Sequence, residues 1–293
     1  MTTIIIVNYK SEQLTIDYIT KELSKLTDCF NTIVVNNAAT PESDSLLCRS
    51  LQANLISLDT FEESGNGRYV VSSVENLGFA KGNNLGAEIA TKHLGAKFLL
   101  FSNNDILIND RDIIRCMTEK FNENCRIGIL GPKVVGLKGD LQSPEPYKPF
   151  LDRYCWMYLS TPFMSLKAKR KRFKLDYANN AQEGFHYKIL GAFFVVRTVD
   201  FIQCGMMDPY TFLYAEETIL TERMKKIGKV PYYLPSVSVV HAHGQTTENT
   251  IGNKGINRYM IESDKYYYHE YMKTPKWKLF LGEIIYKLYH RIK

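Results

Sequence analysis

At 293 residues, 45% of them hydrophobic and 23% charged, the chain has ordinary globular composition and enough length to bury a sizeable core without staples. Its net charge of +6 favours anionic partners such as nucleotides, nucleic acid or acidic lipid, without choosing among them, and is partly local: Lys167–Lys174 carries six positive charges, and the segment from Lys273 is basic too. Six cysteines form no CxxC pair and no zinc-like spacing, and such scattered thiols in a chain this long fit a reducing cytoplasm.

The first element is a short β-branched strand, Ile4–Val7, with no signal peptide ahead of it. Apolar residues at helical spacing predict a helix over Leu14–Leu26. Strands follow at Thr32–Val35, Leu55–Leu58 and Tyr69–Val74, then a polar, glycine-containing stretch, NLGFAKGNN (Asn76–Asn84), and a helix over 83–94. The run AKFLLFSNND (Ala96–Asp105) reads as a buried strand that delivers a carboxylate to a sheet edge. This alternation predicts a parallel sheet covered on both faces, with a polar rim at the strand ends where ligands of open α/β sheets sit. Further on, a helix over 111–121 and a strand over Gly128–Val135 precede a polar, Pro-rich passage at 139–149. Residues 150–186 are aromatic and basic without a clean period and read as an insertion or acceptor-facing loop. Strands at Ile189–Arg197 and Val237–Val240 flank a helix within Thr211–Ile227 that closes on Gly228, and the chain from Ile256 onward reads as helical. No uncharged apolar run approaches the roughly 18 to 20 residues needed to span a bilayer.

Five constellations carry chemistry, each with a plainer alternative. Asp105, after Asn103-Asn104, can hold Mg²⁺ or Mn²⁺ against a diphosphate, or simply cap the next helix. Gly78 and Gly82 of NLGFAKGNN allow close backbone approach, or serve an ordinary strand–helix turn; the stretch is neither GxGxxG nor a Walker loop, which argues against a dehydrogenase and a phosphate-loop NTPase. Glu216-Glu217, behind an aromatic run, offers a general base, or merely complements a helix dipole; adjacent acids on a helix point about 100° apart, so one can face a given ligand. His241-x-His243 can complete a metal shell, or pack structurally. The basic run 167–174 is first a solvated surface, with no nucleic-acid motif beside it.

The order of these segments is more specific than any one of them. TIVVNNAAT, NLGFAKGNN, FLLFSNND, ILGAFFVVR, FLYAEE and VVHAHG, in that order, resemble the family 2 glycosyltransferases of the GT-A fold, particularly the rhamnosyltransferase-like branch that builds bacterial surface polysaccharides; the resemblance covers about residues 3 to 247. It implies an α/β GT-A fold with a Rossmann-like, mostly parallel central sheet flanked by helices over residues 1–250, and a C-terminal helical extension over 251–293. It also implies a nucleotide-sugar site drawn from Asn8, Tyr9, Asn36, Asn76, Gly78, Phe79, Lys81, Asn83, Asn103 and Asn104, a Mn²⁺ or Mg²⁺ ion on Asp105 and His241, and catalytic acids Glu216 and Glu217 with the base on Glu217. Three positions depart from the pattern: Asn36 replaces the usual Asp, Lys10 stands where Asn is common, and Ile219 replaces a second helix Asp.

The implied activity is inverting transfer of a sugar from a nucleotide-diphosphate sugar to a hydroxyl of a glycan or lipid-linked acceptor. The rivals are a sugar nucleotidyltransferase, which would carry a Gly-rich basic loop where Asn8-Tyr9-Lys10-Ser11 stands, and a non-catalytic nucleotide-sugar binder. The segment 266–293 mixes aromatic and aliphatic residues with Lys and Arg; it reads as a helix packed on the domain or on a second subunit of a homodimer, or as a peripheral contact with the inner face of the cell membrane.

Overall fold

The computed structural model describes residues 1–156, 180–242 and 258–291. Ten strands form one sheet in the order β3-β4-β2-β1-β5-β9-β7-β10-β6, with β8 (Gly184–Phe185) pairing with β10. The first half is wholly parallel: β1 (Thr2–Asn8) lies between β2 (Phe30–Asn37) and β5 (Phe98–Ser102), and β4 (Arg68–Ser73) and β3 (Asn54–Ile56) extend it past β2. In the second half, β9 (Phe193–Arg197) runs antiparallel to β5 and to β7 (Ile127–Gly136). β10 (Val230–His241) is parallel to β7, and β6 (Ile106–Ile108) closes the edge antiparallel to β10. The expected α/β class with a mostly parallel sheet flanked by helices is the observed one.

Period-2 alternation divides the core. Ile4, Ile6, Val34 and Leu100 pack on one face with Leu47, Leu51, Met117 and Phe121 from helices α2 (Pro41–Leu51) and α4 (Ile113–Glu123). Ile5, Ile33, Val35 and Phe101 pack on the other with Ala87, Ala90, Leu220 and Met224 from α3 (Gly78–Leu94) and α6 (Glu216–Lys226). A third cluster stands apart: Phe150, Tyr154, Ile219, Tyr267, Tyr268, Leu279 and Tyr286 join the C-terminal helices to the flank of α6.

Several elements differ from the sequence expectation. The first helix, α1 (Glu12–Asp17), loosens into a π-turn (Tyr18–Glu22) and a 3₁₀ turn (Leu23–Lys25), and Tyr18 Oη meets Ser102 Oγ at 2.6 Å beneath the end of β5. α2 was not expected; its signal is Thr40-Pro41, where the Thr40 hydroxyl caps Ser43 N–H and proline occupies the first turn. α3 begins at Gly78 and not at 83, so most of NLGFAKGNN is helix and not turn. The strand expected over 237–240 is the end of the twelve-residue β10, which is irregular between Leu234 and Ser238. The short helix α5 (Thr198–Gln203) follows β9. The C-terminal part is helical as expected: α7 (258–266) passes into a π-turn (Tyr267–Tyr271), and α8 spans Lys276–Arg291. The basic run 167–174 and His243 lie outside the described residues.

Candidate active site

A cavity of about 570 Å³ opens beyond the carboxyl ends of β1, β2 and β5. Tyr9, Asn37, Asn76, Gly78, Phe79, Asn103, Asn104, Asp105 and His241 line it from the strand-end side. Glu216 and Glu217 line it from the start of α6, and Lys148, Arg153, Lys188, Asp264 and Tyr268 from the far side.

The strand-end wall is held by asparagines. Asn37 sits on the α3 face of β2; its side chain donates to Asn76 Oδ1 (3.0 Å) and accepts from Leu77 N–H (2.7 Å), clamping the turn into α3. Gly78 then takes φ +73°, and a Cβ there would run into the Phe212 carbonyl. Phe79 N–H donates to that same carbonyl (3.0 Å), so NLGFAKGNN is locked directly onto the FLYAEE segment. Alternation also decides which asparagines do not line the cavity. Asn8 and Asn36 are paired residues of β1 and β2 that point to the opposite face. Asn8 Nδ2 donates to Asn36 Oδ1 (2.9 Å), and Asn36 donates to Ser43 Oγ and Asp44 Oδ1, both at 2.7 Å. They lie behind the wall, in a closed buried network. Asn83 is likewise buried, donating to Phe79 O at 3.0 Å, and Lys81 is exposed on α3 outside the cavity lining. Asn104 donates to Ser11 Oγ and Thr15 Oγ1 and ties α1 to the rim.

Asp105 and His241 meet because β6 pairs antiparallel with the end of β10. His241 is registered on Ile106, and Ala242 N–H donates to Asp105 O at 3.0 Å. Both side chains are buried, and His241 Nε2 stands 3.4 Å from Asp105 Oδ1. His241 Nδ1 donates to Gln142 Oε1 at 2.8 Å; an amide oxygen only accepts, so this bond fixes the ring orientation and turns Nε2 toward Asp105. Asp105 Oδ1 is a buried carboxylate oxygen with no hydrogen bond. An unsatisfied carboxylate oxygen beside an imidazole nitrogen, with the second ring nitrogen anchored, is a donor set that fits a divalent cation. Among the described residues no third His, Cys, Asp or Glu joins the pair. Gln142 gave no signal in the sequence, because its role depends on the turn that follows β7.

The two glutamates differ sharply. Tyr214 (φ 73°) and Ala215 (φ 66°), both non-glycine, adopt left-handed backbone just before α6, a conformation that costs about 1–3 kcal/mol at each such residue. Glu217 Oε1 accepts from Gly191 N–H at 3.0 Å, and a Cβ on Gly191 would lie 2.5 Å from that oxygen, so the turn before β9 is shaped around the carboxylate. Glu216 is 4% exposed, and its Oε1 has no hydrogen bond. Burial first, and the neighbouring Glu217 charge second, push its pKa up to about 8.

On the far side, Lys188 bonds Glu145 at 2.7 Å, and Lys148 bonds the same carboxylate at 3.1 Å. Burial opposes the Lys188 charge, but Glu145 and Glu217 outweigh it and hold the ammonium above its ordinary pKa. Burial likewise opposes the Glu145 charge, and the two lysines override it, bringing its pKa down to about 2. Arg153 Nε donates to Asp264 Oδ2 (2.6 Å), which also accepts from Tyr154 Oη (2.7 Å). Asp264 belongs to α7, and Ser263 of the same helix donates to Leu213 O at 2.8 Å, so the C-terminal helices both wall the cavity and hold the segment before Glu216. Ile219, where a second helix acid was looked for, is fully buried against this aromatic cluster. Glu145, Lys148, Lys188 and Asp264 carry no individual signal in the sequence, and Arg153 has only its place in the 150–186 stretch.

No family model and no curated protein sequence matches the chain. Solved structures do. A mannosyltransferase from Pyrobaculum calidifontis, in complex with GDP-Man and Mn²⁺, aligns over 94% of this chain and 64% of its own at 13% identity and TM-score 0.59. GalNAc-T7 with UDP, GalNAc and Mn²⁺ aligns over 92% and 50% at 11% identity and TM-score 0.53. TarS 1–349 of S. aureus aligns over 92% and 72% at 15% identity and TM-score 0.50. The chain thus spans about two thirds of the length of the first and half of the second. The architecture that this chain shares with them is the GT-A glycosyltransferase fold.

Proposed function

We propose that the chain is an inverting glycosyltransferase that moves a sugar from a nucleotide-diphosphate sugar to a hydroxyl of a glycan or lipid-linked acceptor, in the manner of the rhamnosyltransferase-like enzymes of surface polysaccharide synthesis. One observation carries the reading: a single cavity brings an unsatisfied Asp105 oxygen beside His241 together with a glutamate pair on α6. Solved structures with this fold hold GDP-Man or UDP with Mn²⁺.

The donor lies along the strand-end wall, against Tyr9, Asn37, Asn76, Phe79 and Asn103, with Asn8 and Asn36 bracing that wall from behind. Asp105 and His241 would hold Mn²⁺ or Mg²⁺, which when bound would supply Lewis-acid neutralisation of the departing diphosphate. Glu217, fixed by the Gly191 N–H, takes the proton from the acceptor hydroxyl. That oxygen bonds to the anomeric carbon as the bond to the diphosphate oxygen breaks, and the configuration inverts. Glu216 keeps its proton near neutral pH, which spares the site a second buried charge beside Glu217. The acceptor enters along Lys148, Arg153 and Tyr268.

Purified protein incubated with a panel of sugar nucleotides and Mn²⁺ tests the reading. Release of nucleoside diphosphate supports glycosyl transfer. Release of pyrophosphate when a nucleoside triphosphate and a sugar 1-phosphate are supplied instead assigns the chain to nucleotidyl transfer, and donor binding without any turnover makes it a binding protein.

A further inference from the structure

The last helix, α8, is apolar on two opposite sides. Its inner side buries Leu279 and Tyr286 in the aromatic cluster, and Gly282 packs so closely on Phe150 that a Cβ would overlap the ring. Its outer side exposes Trp277 (62%), Phe280 (62%), Leu281 (48%), Ile284 (37%) and Leu288 (53%). At 100° per residue these five fall within one stripe, centred opposite Leu279, Gly282 and Tyr286. A helix that is already docked by one face has no folding reason to keep a second apolar face in water. Such a patch marks an interaction surface.

Charge identifies the occupant. Between Lys273 and Lys293 stand six basic residues and one acid, Glu283, in a chain whose whole net charge is +6. Glu283 is neutralised by both Lys265 and Lys287 at 2.6 Å. Lys273 and Lys276 are exposed near the start of the stripe, and Lys278 lies over the Trp277 ring. An aromatic–aliphatic stripe bordered by lysines fits an anionic lipid surface, with the rings at headgroup level and the ammonium groups on the phosphates. Sixteen helical residues span about 24 Å, less than a bilayer's hydrocarbon core, and no described helix is long and apolar enough to cross a membrane.

We propose that α8 lies flat on an anionic membrane through Trp277, Phe280, Leu281, Ile284 and Leu288. The consequence reaches the cavity. α8 packs on α7 and the π-turn after it, whose inner side supplies Met260, Asp264, Tyr267 and Tyr268 to the cavity lining. Docking therefore sets the far wall of the cavity next to the lipid surface, where a lipid-linked substrate would arrive.

The test is co-sedimentation of the full chain with phosphatidylcholine vesicles, with and without a quarter phosphatidylglycerol, at low and high salt. The wild type is expected to bind the anionic vesicles and to be released by salt. Trp277→Glu with Phe280→Glu is expected to abolish binding, and Lys276→Glu with Lys278→Glu to weaken it by at least about tenfold, since each basic residue near such a surface contributes roughly fivefold. Trp277, Phe280 and Lys276 are exposed and Lys278 is half-buried, and unchanged melting temperatures confirm the fold. Three results overturn the proposal: no binding by the wild type, equal binding to neutral vesicles, or binding kept by both variants. Light scattering showing a dimer that the Glu pair dissociates, without vesicle binding, assigns the face to a second copy instead.

Discussion

The wall that carries Asn37, Asn103, Asp105 and His241 is made of strand ends; the wall that carries Lys148, Arg153, Asp264 and Tyr268 is made of a loop, the π-turn Asp152–Trp156 and the C-terminal helices. On the first, each side chain is aimed by the pleat of a buried strand, and its neighbours are fixed by register, as His241 is by Ile106. On the second, residues more than a hundred positions apart are joined by ion pairs and tyrosine hydroxyls, such as Arg153 with Asp264 and Tyr268 with the Lys148 carbonyl. The first is rigid by topology. The second is rigid only as far as its side-chain contacts hold.

That contrast can be broken or sharpened by substitution, and the largest effect belongs to the junction of the two walls. Glu217→Gln should reduce turnover by about 10²- to 10⁴-fold, the usual worth of a positioned base, while donor affinity measured by calorimetry stays within about twofold. Turnover near that of the wild type would remove Glu217 from the chemistry. Gln142→Ala removes the acceptor from His241 Nδ1 and should weaken Mn²⁺ affinity by about 10- to 100-fold; an unchanged Mn²⁺ titration would mean that the ring does not need this brace.

Smaller effects separate structure from contact. Asn36→Ala takes the 2.9 Å acceptor from the buried Asn8 amide and two donors from half-buried Ser43 and Asp44, and should lower stability by about 1–3 kcal/mol with little change in donor affinity. The reverse pattern would return Asn36 to the nucleotide. Glu216 gives a pH signature. Its pKa is raised in the folded state to about 8, so the folded protein holds the extra proton between the ordinary glutamate value and that pH. Its contribution to stability is therefore present at low pH and lost as pH rises through about 8. Melting temperature should fall over that interval in the wild type and fall less in Glu216→Gln; parallel pH profiles would show that Glu216 is not held neutral.

The same contrast explains what could be read from the sequence. Strand runs such as Ile4–Val7 and Phe98–Phe101 announce themselves by composition, and polar residues at their ends mark the rim, so the places of Asp105 and His241 at strand ends were legible, while a role for them came only from the family resemblance. Which of two adjacent asparagines lines the cavity was not, because Asn36 and Asn37 differ only in which face of β2 they occupy, and that depends on where the strand begins. Gly191 was invisible for another reason: its meaning is the space it leaves for Glu217, which belongs to a different helix. Ile219 reads as a lost acid in one dimension and as a buried contact once the C-terminal helices cover it. Of the far wall only the segments were legible, 150–186 as an insertion or acceptor-facing loop and 266–293 as a helix; the contact was not, since nothing local to Arg153 points to Asp264.

The most direct measurement is the affinity for a sugar nucleotide, with and without Mn²⁺, in the wild type and in Asp105→Ala. Mn²⁺ is expected to tighten donor binding to the wild type by about tenfold or more, the scale on which neighbouring sites couple, and to have no effect on Asp105→Ala. Equal Mn²⁺ dependence in both proteins would contradict the assignment of the orphaned Asp105 oxygen to a metal-assisted donor site.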